Sequence, residues 1–223
     1  AISPFFDPEW MFGLQRENQH LNSAQQAGYF DIVLGNPPYV NVANIKPDKY
    51  RNHLRSIFYS ARNKSDLYAF FIEKGFELLN SKGILSYIIP HTWKATDSFK
   101  NLREIIFKKH SICQIVNLDM TVFDAIVQPL IIILNNQLER NYQIPIYNKY
   151  FKLLYSIDIL EVLNDELLSV DTTSTRQQKN IFTKIETNAI PLNQIIEFSR
   201  GIKTSNDKRF ISTEIIDENS KKK

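Results

Sequence analysis

Apolar runs of strand length recur along the chain and alternate with segments of helical spacing. The first run is YFDIVLG, residues 29–35, which is short and bounded by glycines, and it predicts a buried strand. Three similar runs follow, ILSYIIP at 84–90, SICQIVNL at 111–118 and QPLIIILNN at 128–136. The pattern therefore predicts four strands in the first two thirds of the chain.

Two segments between these runs carry apolar residues at helical spacing. DLYAFFIEKGFELLN predicts a helix with Ser65 or Asp66 as its N-cap, ended by the following SKG. DSFKNLREIIFKKH predicts a second helix, capped at Asp97 or Ser98 and basic in its last turn. Alternating strands and helices are typical of a parallel α/β sheet. Only about ten residues join the third and fourth strands, too few for a helical crossover, so we expect them to run antiparallel and form an edge.

The composition changes after the fourth strand. Residues 147–190 are polar and mixed, which predicts a linker, and PLNQIIEFSRG begins what we interpret as a second unit at 191–223. Residues 1–146 would then form the main domain. Because the sequence starts AISPFF without Met and stops at ENSKKK, we expect it to be an excerpt from a longer protein.

Overall composition excludes several classes of protein. The chain has 223 residues, 43% of them hydrophobic, which is enough for a sizeable core. One cysteine allows no internal disulfide, and four histidines without ligand spacing give no reason to expect zinc or another metal. No signal peptide opens the chain and no run is long enough to cross a membrane, so a cytoplasmic location is expected.

The net charge of +3 is mild, and it permits contact with nucleic acid without requiring it. One stretch, residues 46–64, interleaves basic and aromatic side chains. This stretch has two interpretations, a solvated helix face or a set of contacts to nucleic-acid phosphates.

The strand at 29–35 leads directly into Asn36-Pro37-Pro38-Tyr39. In a parallel α/β sheet, ligands gather at the carboxyl ends of the strands. Asn36 offers a side-chain carbonyl, and Pro37 offers a backbone carbonyl stiffened by Pro38, so the pair suits a planar amine with two hydrogens. Tyr39 supplies a flat face on which a ring can stack. The alternative is a stiff loop without chemistry, since Asn-Pro-Pro is a common turn element.

The chain resembles the gamma-class N6-adenine DNA methyltransferases of type II (IIG-like) restriction–modification enzymes. The resemblance rests on FFDPEWMFG followed by FDIVLGNPPYV, on SDLYAFFIEKGFELLNSKGILSYIIPHTW and on TVFDAIVQPLIIILN. RGIKTSNDKRFI resembles the start of a TaqI-like target-recognition domain. The resemblance implies the C-terminal half of a Rossmann-like methyltransferase sheet, mostly parallel with an antiparallel edge strand, followed by the start of that recognition domain.

The resemblance also implies roles for individual residues. Asn36 and Pro37 would accept from the adenine N6 amine, Tyr39 and Phe123 would sandwich the ring, and Asp66 would lie near the site, although a helix cap also explains it. The partner would be double-stranded DNA, whose target base must be flipped out. The methyl donor would be S-adenosylmethionine. The six glycines include no Gly-x-Gly pair, so we expect the cofactor pocket to be incomplete in this chain and the chain to be inactive by itself.

Two other functions remain open from the sequence. Glutamine methyltransferases acting on release factors, and some RNA methyltransferases, use the same tetrapeptide, but they lack the long insert after it and an appended recognition domain. A DNA-binding subunit of a phage-defence system, with the methylase fold used for recognition alone, is the non-enzymatic alternative.

Overall fold

The computed structural model describes residues 28–62, 65–119, 127–172, 174, 176–190 and 192–197. The chain divides into two compact units, residues 1–178 and 179–223. The described part of the first unit holds one sheet with its helices. In the second, the described residues include the greater part of one helix and a 3-10 turn, Leu192–Gln194.

Six strands form the sheet of the first unit. They are β1 Phe30–Gly35, β2 Leu79–Pro90, β3 Ser111–Asn117, β4 Pro129–Asn135, β5 Gln143–Tyr147 and β6 Leu153–Asp158. Their lateral order is β1-β2-β4-β3-β5-β6. The four strands predicted from the apolar runs are confirmed, with β2 beginning five residues earlier than its run.

Five α-helices lie within the described residues. They are α1 Asp48–Ile57, α2 Leu67–Leu78, α3 Lys100–Lys109, α4 Ile159–Leu163 and α5 Arg176–Asn188. The N-cap of α2 is Asp66, as predicted. The cap predicted for α3 is wrong, because Asp97–Phe99 form a separate 3-10 turn and the helix begins at Lys100.

The α/β class and the mostly parallel sheet are confirmed. Strands β1, β2, β3 and β5 run in one direction, while β4 and β6 run in the other. The antiparallel pairing of β3 with β4 is also confirmed. The position expected for β4 is wrong, because it lies between β2 and β3 and pairs with both, and the antiparallel edge strand is β6. Periodicity predicts a strand and its faces but not its neighbours, whereas the run PLIIIL suits a strand paired on both sides.

The prediction that the first strand is buried is wrong in part. In the described sheet β1 is the outermost strand and pairs with β2 alone. Ile32 is 61% exposed and Leu34 is 72% exposed. An apolar run shows that a strand can be buried but not that both of its faces are covered. In β1 the face that carries Ile32 and Leu34 is exposed to solvent.

Residues 147–190 are not a free linker throughout. Strand β6 pairs with β5, and Asp158 caps α4 by accepting from the backbone N–H of Leu160 at 2.8 Å. The segment 165–172, here named the strap, then returns to the sheet. Ile157 is buried but stands between Ser156 and Asp158, and Ile159 is buried at the start of a helix of only five residues, so neither gives a long periodic signal.

Helices α2 and α3 cover the sheet and form the core with it. Gly75 shows how closely α2 crosses β2, since a Cβ at this position would stand 2.2 Å from Leu85 Cδ1. Within the described ranges no helix is long and apolar enough to cross a membrane, and no three His, Cys, Asp or Glu side chains are grouped as metal ligands. Because β1, β2 and β3 run in the same direction, their carboxyl ends lie at one edge of the sheet. The residues that follow these three strands form that edge.

Candidate active site

The Asn36–Tyr39 loop leaves the sheet at the carboxyl end of β1. Gly35 is in register with Tyr87 of the parallel strand β2, whose own end is Pro90. Pro37 is buried and fixes the loop, whereas Asn36 and Pro38 are exposed. Neither the Asn36 amide nor the Pro37 carbonyl is hydrogen-bonded to a residue that the structure describes. Both acceptors therefore remain available at this edge with respect to the described residues.

Tyr39 is anchored at its hydroxyl and at its ring. The hydroxyl donates to the backbone carbonyl of Ile88 in β2 at 3.1 Å. The ring meets Tyr68 edge to face, with centroids 6.5 Å apart and planes at 83°. Partial burial raises the pKa of Tyr39, so the hydroxyl stays protonated and continues to donate. The ring is thus held in place while part of its surface stays exposed.

Tyr68 is the support behind Tyr39. It is fully buried in α2, stacks on Phe99 at 5.1 Å, and its hydroxyl lies 3.2 Å from Thr92 Oγ1. Burial raises the pKa of Tyr68 well above its usual value. Thr92 belongs to the 3-10 turn His91–Lys94 that follows β2, so the ends of two strands are tied together behind the loop.

Asp66 lies at the site because a short bridge joins it to Asn41. The two residues pair in antiparallel fashion, with Val42 N–H donating to Ser65 O at 3.1 Å and Leu67 N–H donating to Val40 O at 2.8 Å. The Asn41 amide also donates to Asp66 Oδ1 at 3.0 Å. Burial raises the pKa of Asp66, and the Asn41 hydrogen bond opposes that rise. The Asp66 side chain makes no capping bond to α2, so its contact is with the loop.

Phe123 lies outside the described residues. The structure does describe residues 65–119 and 127–172, and these two stretches meet at the same edge. Gln128 accepts from the backbone N–H of His91 at 3.0 Å and donates from its side chain to Leu118 O at 3.1 Å. The end of β3 and the start of β4 therefore lie beside the end of β2.

Two buried cations hold the strap against this edge. Arg103 is 0% exposed; its Nη1 donates to Trp93 O at 2.7 Å and its Nε donates to Leu167 O at 2.7 Å. Lys94 is 7% exposed, and its ammonium group donates to the Thr172 hydroxyl. Burial lowers the pKa of Lys94, an effect that Asp171 opposes.

The sequence did not single out Asn41, Tyr68, Lys94 or Arg103. Asn41 stands two residues after Tyr39, and its side-chain carbonyl accepts from Ala43 N–H at 2.9 Å. Asparagine commonly forms such a turn, so the sequence could have indicated a structural role for Asn41. Arg103 lies on α3, a helix with several basic residues that the sequence would place in solvent. No local pattern distinguishes it from Lys108.

Residues 6–123 match a sequence model of the family described as "Eco57I restriction-modification methylase". Among curated relatives, the type II methyltransferase M.TthHB8I of Thermus thermophilus is 34% identical over 86 residues, covering 36% of this chain and 20% of that protein. The type II restriction enzyme and methyltransferase RM.Eco57I of Escherichia coli is 25% identical over 202 residues, covering 85% of this chain and 20% of that protein. The chain thus spans about a fifth of these relatives' length.

Solved structures resemble the fold more distantly. A candidate class I S-adenosylmethionine-dependent methyltransferase from Listeria monocytogenes is 17% identical, with a TM-score of 0.45 over 73% of this chain and 43% of that one. The type ISP restriction–modification enzyme LlaGI, solved with a DNA substrate mimic, is 16% identical, with a TM-score of 0.47 over 68% of this chain and 19% of that one.

Proposed function

Because the chain belongs to the Eco57I restriction-modification methylase family, we propose that it is the catalytic half of a DNA methyltransferase that methylates adenine at N6. The proposal concerns the longer protein of which this chain would be part. It includes double-stranded DNA as the partner and S-adenosylmethionine as the methyl donor.

The proposal is carried by the pair of acceptors after β1. The Asn36 side-chain carbonyl and the Pro37 backbone carbonyl have no partner among the described residues, and they are adjacent in the chain. An exocyclic amine that gives one hydrogen to each acceptor no longer delocalises its nitrogen lone pair fully into the ring. The nitrogen then becomes a better nucleophile without any covalent enzyme intermediate. Preorganised acceptors of this kind act where charge develops in the transition state.

Tyr39 would hold the base in position for this step. Its anchored ring offers an aromatic surface at the same edge, and base–aromatic stacking contributes about 1–3 kcal/mol per base. Phe123, by resemblance, would stack on the opposite face. Flipping a base out of a duplex costs a few kcal/mol, and two stacking contacts would offset much of that cost.

Asp66 would position the loop rather than touch the base. Its carboxylate accepts from Asn41, which follows Tyr39 by two residues. The amide–carboxylate contact and the flanking backbone bridge would keep the two acceptors at a constant distance from Tyr39.

The described residues do not fit the methyl donor by themselves. They include no glycine-rich turn after a strand, and Gly35, at the end of β1, leads directly into the Asn36–Tyr39 loop. We therefore assign no residue of this chain to the donor, and the chemistry supported here is the handling of the amine. Residues 191–223 are proposed as the start of the target-recognition domain.

Membership of a methylase family favours an enzyme over the non-catalytic DNA-binding subunit. A glutamine or RNA methyltransferase would need a substrate other than duplex DNA, which makes the substrate of the longer protein the point to test.

The test measures transfer of tritiated methyl groups from S-adenosylmethionine to unmethylated DNA by the full-length protein. Asn36→Ala should abolish transfer while leaving the circular dichroism spectrum unchanged. Asn44→Ala is the matched control, because Asn44 is an exposed asparagine of the nearby 3-10 turn Val42–Asn44 and its side chain bonds to no described residue. Full activity in Asn36→Ala, or methyl groups found on protein or RNA in place of DNA, would overturn the proposal.

A further inference from the structure

Basic side chains are most concentrated in the part of the chain between the Asn36–Tyr39 loop, which would bind the base, and α2. We call this part of the chain the excursion. Residues 46–64 carry six basic side chains and one acidic one, a net charge of +5, whereas the whole chain carries +3. The rest of the chain therefore sums to −2. A mild overall charge hides a strongly basic segment of nineteen residues.

Helix α1 carries three of these basic residues, Lys49, Arg51 and Arg55, and exposes Lys49 and Arg55 to solvent. None of its residues is buried. Helical spacing places Lys49, Asn52 and Ser56 on one face, all of them exposed, with Arg55 at its border. Lysine, arginine, asparagine and serine are the side chains that commonly contact phosphate oxygens.

The helix dipole accounts for the position of Arg55 but not for the cations at the N-terminal end, of which Lys49 lies over the Tyr50 ring with Nζ 5.2 Å from its centroid. Asp48 in the first turn and Arg55 in the last turn agree with the helix dipole. Lys46 and Lys49, however, stand at the N-terminal end, where a cation is unfavourable. Asp48 pairs with Lys46 at 3.7 Å and with Arg51 at 3.1 Å. Neither Lys49 nor Arg55 forms an ion pair with a described residue.

Helix α1 is also fixed close to the base-binding loop. Eight residues separate Tyr39 from Asp48. Arg51 Nη1 donates to Ala43 O at 3.3 Å, so α1 is tied to the 3-10 turn that begins three residues after Tyr39. The basic face therefore belongs to the edge where the proposed base would enter.

We propose that the exposed face of α1, centred on Lys49 and bordered by Arg55, binds the phosphate backbone of duplex DNA beside the flipped base. The inference rests on the proposed function, because it takes the polyanion at this edge to be the DNA that is methylated. Such contacts would be independent of base sequence, and they would hold the duplex while the target nucleotide turns out.

The test is the salt dependence of DNA binding by the full-length protein, measured as fluorescence anisotropy of a labelled short duplex. The double variant Lys49→Gln/Arg55→Gln should reduce the slope of log affinity against log salt by about 2. Affinity near physiological salt should fall roughly ten- to hundredfold. The charge-conserving variant Lys49→Arg/Arg55→Lys should restore both values.

Lys82→Gln/Lys109→Gln is the matched control. Both lysines are exposed, and they lie at the start of β2 and at the end of α3, on the edge of the sheet opposite the loop. Their removal takes the same charge from the protein and should leave the slope unchanged. An equal fall in both variants would overturn the inference, because it would indicate a general charge effect.

The two proposals fail in distinguishable ways. An unaltered slope in Lys49→Gln/Arg55→Gln, with methyl transfer to DNA intact in the unmodified protein, would overturn the role of α1 alone. If Lys49→Gln/Arg55→Gln lost binding to single-stranded RNA but kept its binding to duplex DNA, the proposed DNA contact of α1 would be overturned in favour of an RNA partner. A reduced slope in a protein that transfers no methyl group would support the DNA contact and count against the methyltransferase.

Discussion

The Tyr39 hydroxyl donates to the carbonyl of Ile88 at 3.1 Å, across the boundary between the loop after β1 and the neighbouring strand β2. This bond ties the aromatic ring proposed to stack on the base to the backbone of the sheet. The hydroxyl therefore has a structural task, while the ring has the proposed functional one. The two tasks can be separated by substitution.

Tyr39→Phe removes the hydroxyl and keeps the ring. We expect the free energy of unfolding to fall by about 0.5–1.5 kcal/mol, the usual contribution of one such hydrogen bond, and methyl transfer to persist. Tyr39→Ala also removes the ring and should weaken the hold on the flipped base by about 1–3 kcal/mol. Urea unfolding and the fluorescence of 2-aminopurine at the target position measure the two effects. Equal base flipping in both variants would contradict the stacking role.

Asn41→Ala should affect stability and transfer together. The substitution leaves the half-buried Asp66 carboxylate without its donor, which costs about 1–3 kcal/mol in the free energy of unfolding. The pKa of Asp66 should rise further, since the hydrogen bond that opposes the effect of burial is lost. NMR titration of the Asp66 carboxyl carbon measures the shift. Asn44→Ala serves again as control, and an Asp66 pKa that is the same in both variants would argue against the contact.

His110 should make the protein less stable in mild acid. Its ring stacks on Phe76 with centroids 3.5 Å apart, and burial lowers its pKa from 6.5 to about 4. The unfolded chain therefore binds a proton at His110 before the folded chain does. Stability is fully present above pH 6.5 and is lost as the pH falls towards 4, by at most about 3 kcal/mol.

His110→Phe keeps the aromatic contact and removes the titrating group. The part of the acid destabilisation that comes from His110 should disappear in this variant, as followed by urea unfolding at a series of pH values. His53→Phe is the comparison, because His53 is exposed on α1. A pH profile that His110→Phe leaves unchanged would rule out His110 as the titrating group.

Arg103→Met should loosen the strap and destabilise the fold. The buried bond to the Trp93 carbonyl and the partly buried bonds to the Thr96 and Leu167 carbonyls would all be lost, which predicts a loss of about 3 kcal/mol. Arg140→Met, at an exposed arginine, should change stability by less than about 0.5 kcal/mol. Hydrogen exchange at the Val170 amide, which donates to Lys94 O, reports on the strap directly. Unchanged protection of that amide in Arg103→Met would contradict the role given to Arg103.

The sequence predicted what is local and periodic. Runs such as PLIIIL and ILSYIIP identified β4 and β2, and helical spacing identified α2 and α3. It did not predict β5 and β6, since Ile144 and Ile146 flank Pro145 in a very short run and Ile157 stands among polar residues. The position of β4 inside the sheet could not be predicted either, because the lateral order of strands depends on pairing between strands distant in sequence.

In the candidate site, too, the sequence predicted the local motif but not the contacts between residues distant in sequence. Asn36 to Tyr39 is a contiguous motif, and its place after a strand follows from the apolar run. The contact between Asn41 and Asp66 joins residues 25 positions apart, and Arg103 bonds a carbonyl 64 positions away. Such contacts arise from tertiary packing, for which a single sequence gives no local signal.

The bridge between Asn41 and Asp66 has a consequence for how this chain can vary. It closes the base of the whole excursion from 42 to 65, so the excursion starts and ends at one fixed point on the fold. Because the free energy of closing a loop changes only slowly with its length, residues can be gained or lost at little cost in the part of the excursion that is not packed on the core. The exposed helix α1, none of whose residues is buried, can therefore be shortened, extended or exchanged while the four residues after β1 keep their place. The two ends of the excursion cannot vary in this way, because Val42 and Ala61 are fully buried and Phe58 stacks on Phe70 of α2.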